Sequence, residues 1–167
     1  MTEAPFGLPL HRLLPLDGMS AVLLGGYHGT WVPATEATQL TLDSASLGAG
    51  VLAALPADRC GLTETARVLR YLALQSAGQC GPCLNGLPRI AAAFTTLANP
   101  GPQGSTRTDV ARWAGLVEGR GACHHPDGTV RLVRSALTTF AAELDAHASG
   151  FCTAPDRTPL LPVPQET

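Results

Sequence analysis

Short apolar runs bounded by glycine or proline mark the first 57 residues of the chain. One run at 20–24 ends at two glycines, β-forming residues resume at 30–32, and a third run at 51–55 lies between Gly50 and Pro56. Runs of this length between turn residues favour strands, and the first two fit a pair joined by a glycine-rich turn. Because three short strands rarely fold alone, we predict a small β segment over 1–57 that is stabilised by packing against the remainder of the chain.

From residue 58 the apolar positions recur at helical spacing. Four stripes succeed one another, and their members are Leu62, Ala66, Leu69 and Ala73; Leu87, Ile90, Phe94 and Leu97; Val110, Trp113 and Val117; and Val130, Val133, Leu137, Phe140, Leu144 and Ala148. The last stripe predicts one long helix, entered through a capping turn at 127–129. The chain is therefore predicted to be α+β and mostly α, with a four-helix bundle over 58–150 and a proline-rich, extended arm over 151–167.

Charge and composition narrow the possible functions. The 167 residues carry a net charge of −2, and all 11 basic residues are arginines scattered without a cluster. Proteins that bind nucleic acid or an anionic membrane surface carry a basic patch, so we expect neither partner. No apolar run approaches the roughly 18 residues of a membrane span. The odd number of cysteines, five, argues against a disulfide framework and favours reduced thiols in the cytoplasm.

Three cysteines lie in breaks between predicted helices. Cys80 and Cys83 form a Cys-Gly-Pro-Cys motif, and Cys123 lies in the polar break after 118–121. Pro82 suits the first position of a helix, whose amide donors and dipole would favour thiolates and an anionic group. The pattern favours metal ligation. A dithiol redox pair and two buried small residues are the alternatives.

Histidines beside the third cysteine extend the candidate ligand set. His124 and His125 follow Cys123 directly, so either imidazole is a candidate fourth ligand. A set of three cysteines and one histidine would also suit structural zinc. The alternative is that these histidines simply form a polar turn before the last helix.

Two further cysteines are expected to be structural thiols rather than ligands. Cys60 precedes the first predicted helix, and about 16 helical residues would put it some 24 Å from the end near Cys80. Cys152 lies beyond the last predicted helix and is similarly remote. His147 falls close to the apolar stripe of that helix, so we expect it to be a packing residue.

The order of several motifs carries a family resemblance. The sequence SAGQCGPC at 76–83 resembles the Ser-Cys-Gly-x-Cys-x-Pro-Cys-Arg cluster motif of the NADH-binding flavoprotein subunit of respiratory complex I and of related hydrogenase and formate dehydrogenase subunits. The segment 117–119 followed by Cys123 is similar to the part that bears the family's fourth cluster cysteine. The sequences SLGAG at 46–50 and GGYHGTW at 25–31 resemble turns of its preceding β-grasp (SLBB) module.

This resemblance implies a helical domain that binds a 4Fe-4S cluster, with Cys80, Cys83 and Cys123 as ligands. Two departures from the motif matter: Ala77 stands where the family has its first cysteine, and Leu84 stands where it has arginine. The fourth ligand then comes from elsewhere, for which His124 and His125 are candidates, or the site holds a 3Fe-4S cluster.

The function that the resemblance implies is the relay of single electrons between a flavoprotein and an acceptor such as a ferredoxin, within an NADH-dehydrogenase-like oxidoreductase system. The family's glycine-rich flavin- and NADH-binding region has no counterpart in this sequence, so we expect no FMN or NAD in this chain. Both electron-transfer partners would then be other chains. The alternatives are a structural zinc module and a cluster-less scaffold for subunit assembly.

Overall fold

A small antiparallel sheet opens the fold. The structure is a computed structural model that describes residues 3–42, 47–102, 106–154, 156 and 158–164. Strands β1 (Met19–Leu24), β2 (Thr30–Pro33) and β3 (Leu52–Pro56) form the sheet in the order β2-β1-β3, with β1 antiparallel to both neighbours. The three predicted strands are therefore confirmed. Ser46 in the glycine-rich sequence 46–50 and Pro155 in the tail lie outside the described residues.

The central strand is buried on both faces. Ala21 and Leu23 belong to the main hydrophobic core together with the helices, whereas Val22 and Leu24 pack on the opposite face with Leu10. Successive side chains of a strand point to opposite faces, so a strand covered on both sides needs apolar residues at every position. This is why residues 21–24 of β1 form a continuous apolar run rather than an alternating one.

Helices make up most of the remaining fold. They are α1 (Ala34–Ala37), α2 (Gly61–Leu74), α3 (Leu87–Leu97), α4 (Arg107–Val117), α5 (His125–Thr139) and α6 (Ala141–Ala148), with a π-helical turn over Pro82–Gly86 that leads into α3. Helices α2, α3 and α4 coincide with the first three predicted stripes. A small sheet followed by a helical majority confirms the predicted fold class. In the described ranges, no helix is both long and apolar enough to cross a membrane.

The last predicted helix is two helices, α5 and α6, because the helical backbone breaks at Phe140. Phe140 has φ −103° and ψ 29°, and its ring packs over Gly61, where even a Cβ atom would lie 2.2 Å from the ring. The ring also meets Trp31 edge to face, with centroids 5.3 Å apart. The start of α5 differs too: the helix begins at His125, ahead of the predicted capping turn at 127–129.

The described part of the tail, for which an extended arm was expected, is docked on the helices. Glu64 is 2% exposed near the start of α2, and its carboxylate accepts hydrogen bonds from the amides of Leu160 and Leu161 at 3.1 and 2.9 Å. Arg59 also forms an ion pair with Asp156 at 3.0 Å. The sequence pattern missed this docking because a carboxylate that receives backbone amides has no signature in hydrophobic periodicity.

Candidate metal centre

The Cys80–Cys83 motif lies where α2 gives way to the π-helical turn. The chain leaves α2 through Gly78, whose φ of +64° is a left-handed conformation that suits glycine. Cys80 is half-buried, and Cys83 is buried at 4% exposure within the turn Pro82–Gly86. Local turn geometry thus places both thiols on one short, tightly wound segment.

Helix α4 brings the third cysteine to this segment. Gly86 of the π-helical turn packs so closely on Val117, the last residue of α4, that a Cβ atom would lie 2.3 Å from Val117 Cγ2. The loop that follows α4 is held by a hydrogen bond from the Gly119 amide to Asp127 Oδ1 at 2.8 Å. The loop that carries Cys123 therefore begins at the end of α4 that lies against the segment with Cys80 and Cys83.

Backbone donors and neighbouring thiols set the electrostatics of the three cysteines. The amide of Ala122, and then that of Cys83, donate hydrogen bonds to the sulfur of Cys80 and lower the pKa of this thiol. Burial, followed by the hydrogen bond with Cys80 and the charges of Cys80 and Cys123, raises the pKa of the Cys83 thiol. Cys80 and Cys123 therefore both lie close enough to Cys83 to affect the pKa of its thiol. The structure brings all three predicted cysteines together in this sense.

The spacing of these thiols distinguishes two kinds of metal centre. Among the residues that the structure describes, no set of three ligands that includes these sulfurs has its atoms within 4.8 Å of one another. A single zinc ion with Zn–S bonds of about 2.3 Å holds its sulfurs about 3.8 Å apart. A cluster in which each cysteine binds its own iron sets the sulfurs farther apart, and thiolates with amide donors are its usual ligands. The donor set fits an iron–sulfur cluster.

The two candidate histidines differ in their surroundings. His125 Nε2 is 2.9 Å from the Leu72 carbonyl, and its Nδ1 is 3.1 Å from His28 Nε2, so both ring nitrogens have hydrogen-bond partners. His124 is exposed at the N-cap of α5, beside Cys123. Ala77, in the position of the missing cysteine, is exposed between α2 and Cys80.

Cys60 and Cys152 lie at the opposite end of α2, as the helix-length argument predicts. The structure nevertheless places them side by side, in one group with Glu143 and His147. Sequence reasoning did not predict this group. The available signal was Glu143 and His147 four residues apart on a helix, followed five residues later by a cysteine.

A family model decides the relationship of the chain to known proteins. The model of the NADH-ubiquinone oxidoreductase-F iron-sulfur binding region matches residues 63–147, just over half of the chain. The chain belongs to this family. The cofactor of the family is an iron–sulfur cluster, and its chemistry is electron transport in oxidoreductases. The predicted resemblance and cofactor class are therefore confirmed, whereas the identity of the ligands stays a prediction.

Two relatives from bacteria agree with this assignment. The F 2 subunit of NADH-quinone oxidoreductase from Rhizobium meliloti (strain 1021) is 27% identical over 160 residues, which cover 87% of this chain and 38% of that protein. The F subunit of NADH-quinone oxidoreductase from Streptomyces coelicolor (strain ATCC BAA-471 / A3(2) / M145) is 23% identical over 163 residues, which cover 89% of this chain and 36% of that protein. The chain thus spans well under half the length of these relatives.

A solved structure supports the fold. The crystal structure of an NAD+-reducing NiFe-hydrogenase in the air-oxidized state superposes with a TM-score of 0.71 at 23% sequence identity, covering 87% of this chain and 27% of that one. At this identity the likeness concerns the fold alone. The match includes the sheet as well as the helices, because it covers more of the chain than the helical region does.

Proposed function

We propose that this chain relays single electrons between a flavoprotein and a ferredoxin-like acceptor, both of them other chains, through an iron–sulfur cluster held by Cys80, Cys83 and Cys123. The observation that carries the proposal is the convergence of these three thiols inside the region that the family model matches. When bound, the cluster supplies a one-electron couple. We place the chain in a reducing compartment such as the cytoplasm, since thiolate ligands need reduced cysteines.

The three cysteines would contribute in different ways. The amides of Ala122 and Cys83 donate to the Cys80 sulfur, and such hydrogen bonds stabilise the thiolate and raise the reduction potential of a bound cluster. Cys83 is buried against the hydrophobic core, so its sulfur would bind the cluster on the side that is shielded from water. Cys123 and Leu84 are exposed, and Leu84 is 65% exposed. This surface is where we expect an electron-transfer partner to approach the cluster.

Metal analysis of anaerobically purified chain tests the proposal. We expect a brown protein with iron and acid-labile sulfide, and we expect Cys80→Ser, Cys83→Ser or Cys123→Ser to remove most of both. Cys152→Ser is the matched control, because it changes a thiol at the far end of the fold and should keep iron and sulfide. The proposal would be contradicted if Cys80, Cys83 and Cys123 bound zinc without sulfide, or if the chain bound neither iron nor zinc.

The fourth ligand calls for a separate test, because Ala77 replaces the family's first cysteine. We propose that the corresponding iron is bound by His124, water or a partner's side chain, since both ring nitrogens of His125 are engaged. Ala77→Cys should then complete a four-cysteine set and make the 4Fe-4S form persist through controlled oxidation, whereas the natural chain converts to 3Fe-4S. Electron paramagnetic resonance distinguishes the two forms. Ser76→Cys is the control, and equal behaviour of both variants would show that position 77 does not face the cluster.

A further inference from the structure

A second group of metal-ligating side chains lies at the start of α2, away from the cluster cysteines. Cys60 is the N-cap of α2, Glu143 and His147 lie on one face of α6, and Cys152 follows that helix. The candidate ligand atoms of these four residues all lie within 4.8 Å of one another. Three separate parts of the chain therefore deliver two sulfurs, one nitrogen and one oxygen to a single point.

The orientation of the histidine suits a ligand. His147 Nδ1 lies 3.1 Å from the Leu97 carbonyl, which can only accept a hydrogen bond, so this nitrogen carries a proton. In the neutral ring the lone pair then belongs to Nε2, which points into the group, 2.9 Å from Glu143 Oε1 and 3.7 Å from Cys60 Sγ. A backbone carbonyl on the outer nitrogen is the arrangement that fixes metal-binding histidines.

The other ligands are also held by outer contacts. The Thr63 amide donates to Cys60 Sγ at 3.4 Å, and the amide and hydroxyl of Thr153 donate to the Glu143 carboxylate, the amide at 3.1 Å. His147 is 0% exposed and Cys60 is 3% exposed. Burial of these two ligand groups, beside the half-buried Glu143 and Cys152, is costly unless the polar groups are satisfied together. A proton shared by His147 and Glu143 would satisfy that pair, and Cys152 Sγ donates to the Ala154 carbonyl at 3.3 Å, whereas one metal ion would engage all four groups at once.

We propose that Cys60, Glu143, His147 and Cys152 bind one structural Zn²⁺ ion. Thiolate, imidazole and carboxylate are all zinc ligands, and these four protein groups would close a tetrahedral set that leaves no position for water. Bonds of about 2.0 to 2.3 Å place such ligands about 3.3 to 3.8 Å apart, so the widest separations in the group need to contract by about 1.5 Å at most. The 2.9 Å between His147 Nε2 and Glu143 Oε1 needs to open by about 0.4 Å. The three anionic ligands leave the bound site with one net negative charge, which the N-terminal end of α2 stabilises.

The bound ion would cross-link the two ends of the helical region and so stabilise its fold. It joins the residue before α2 to the chain after α6, and both of its cysteines lie outside the residues 63–147 that the family model matches. The match of the family model therefore does not extend to these two positions, and the site is inferred from the geometry of this chain. Zinc has no redox chemistry, so this centre would stabilise the fold without exchanging electrons.

Zinc titration of the full chain, reduced and treated with a chelator, tests the proposal. The key variant is a triple one, Cys80→Ser with Cys83→Ser and Cys123→Ser, which removes the cluster ligands and should still bind one equivalent of Zn²⁺. Cys152→Ser in that background should weaken binding at least about tenfold, as should His147→Gln. Cobalt substitution adds a spectroscopic test, because sulfur-to-cobalt charge-transfer bands should be present in the triple variant and reduced with Cys152→Ser.

Thermal unfolding with and without Zn²⁺ distinguishes lost binding from lost folding. Zinc should raise the unfolding temperature of the triple variant and should raise that of the Cys152→Ser derivative clearly less. Cys152 lies outside the helices, so its replacement by serine should preserve the fold. The proposal is wrong if the triple variant binds no zinc, if Cys152→Ser binds it equally tightly, or if anaerobically purified chain contains a Cys60–Cys152 disulfide in place of the metal.

Discussion

At the scale of single residues, two histidines form a hydrogen-bonded link between the sheet and the helices. His125 Nε2 donates to the Leu72 carbonyl at 2.9 Å, which leaves its Nδ1 to accept from His28 Nε2 at 3.1 Å. Burial, then the neighbouring His125 and the charge of Arg131, lower the pKa of His28 from its ordinary value of 6.5.

This lowered pKa predicts a pH dependence of stability. The unfolded chain binds the His28 proton more tightly than the folded chain does, so the free energy of unfolding should decrease as the pH falls through 6.5 and should be fully restored above it. His28→Gln should flatten this part of the profile. Urea unfolding at a series of pH values between about 5 and 8 measures the effect.

The control for this prediction is His11→Gln, because His11 is exposed in the N-terminal segment. It should leave the profile as it is in the natural chain. If His28→Gln and His11→Gln gave the same dependence of the unfolding free energy on pH below 6.5, His28 would not be the source of the acid sensitivity.

At the scale of elements, the proposed cluster site depends on how closely the π-helical turn approaches α4. Gly86 is the contact point, since any side chain there would overlap Val117 Cγ2. Gly86→Ala should therefore push the two elements apart and cost about 1–3 kcal/mol of stability, as overpacking does. It should also lower the iron content, because Cys83 lies on one of the elements that separate and Cys123 lies on the loop that follows the other.

A double variant makes this prediction specific. Val117→Ala removes the overlapping methyl group, so Gly86→Ala with Val117→Ala should recover iron content and should be less destabilised than the sum of the single changes. Gly115→Ala is the control within α4, because nothing lies within 4 Å of its added Cβ and alanine favours the helix by about 1 kcal/mol. Additive effects at Gly86 and Val117 would refute the close-packing argument.

How far the sequence predicts this structure depends on the range of the contacts. The strands of the sheet and helices α2, α3 and α4 follow from local periodicity, and the Cys80–Cys83 motif is itself local. The break at Phe140 was not predictable in this way, because it depends on a ring that fits over Gly61, far away in the sequence. Hydrophobic periodicity records which face of a helix is buried but not which distant residue shapes it.

The same reasoning explains the two groups of cysteines. Cys123 could be linked to Cys80 because motif order in the family connects them, whereas nothing in the local sequence around Cys60 points to Cys152. Their proximity is a result of the path of α6 and of the docked tail. Helix length correctly placed both cysteines far from the cluster site, but it carried no information on their distance from each other.

At the scale of the whole molecule, a buried carboxylate is one of the groups that hold the described part of the tail on the fold. Glu64 receives the amides of Leu160 and Leu161 and pairs with Arg67 at 2.9 Å. Glu64→Ala leaves these amides without an acceptor, and the buried Leu161 amide in particular should make the change cost about 1–3 kcal/mol. Limited proteolysis should then cleave the tail much faster.

The matched control is Asp156→Asn, which removes the carboxylate of a partly exposed ion pair with Arg59 on the same tail. Surface pairs contribute about 0–1 kcal/mol, so this change should alter stability and proteolysis little. Should Asp156→Asn release the tail as readily as Glu64→Ala, the surface pair rather than the buried carboxylate would hold it.

The contact of Phe140 with Trp31 and Gly61 has a consequence for how such chains are inherited. One ring joins the sheet, the start of α2 and the junction of α5 with α6, so the sheet covers apolar surface that the helices cannot cover themselves. A gene rearrangement that moved the helices alone into another protein would expose that surface to water. Recombination should therefore preserve the sheet and the helices as one transferable module, even where a boundary between them is visible in the sequence.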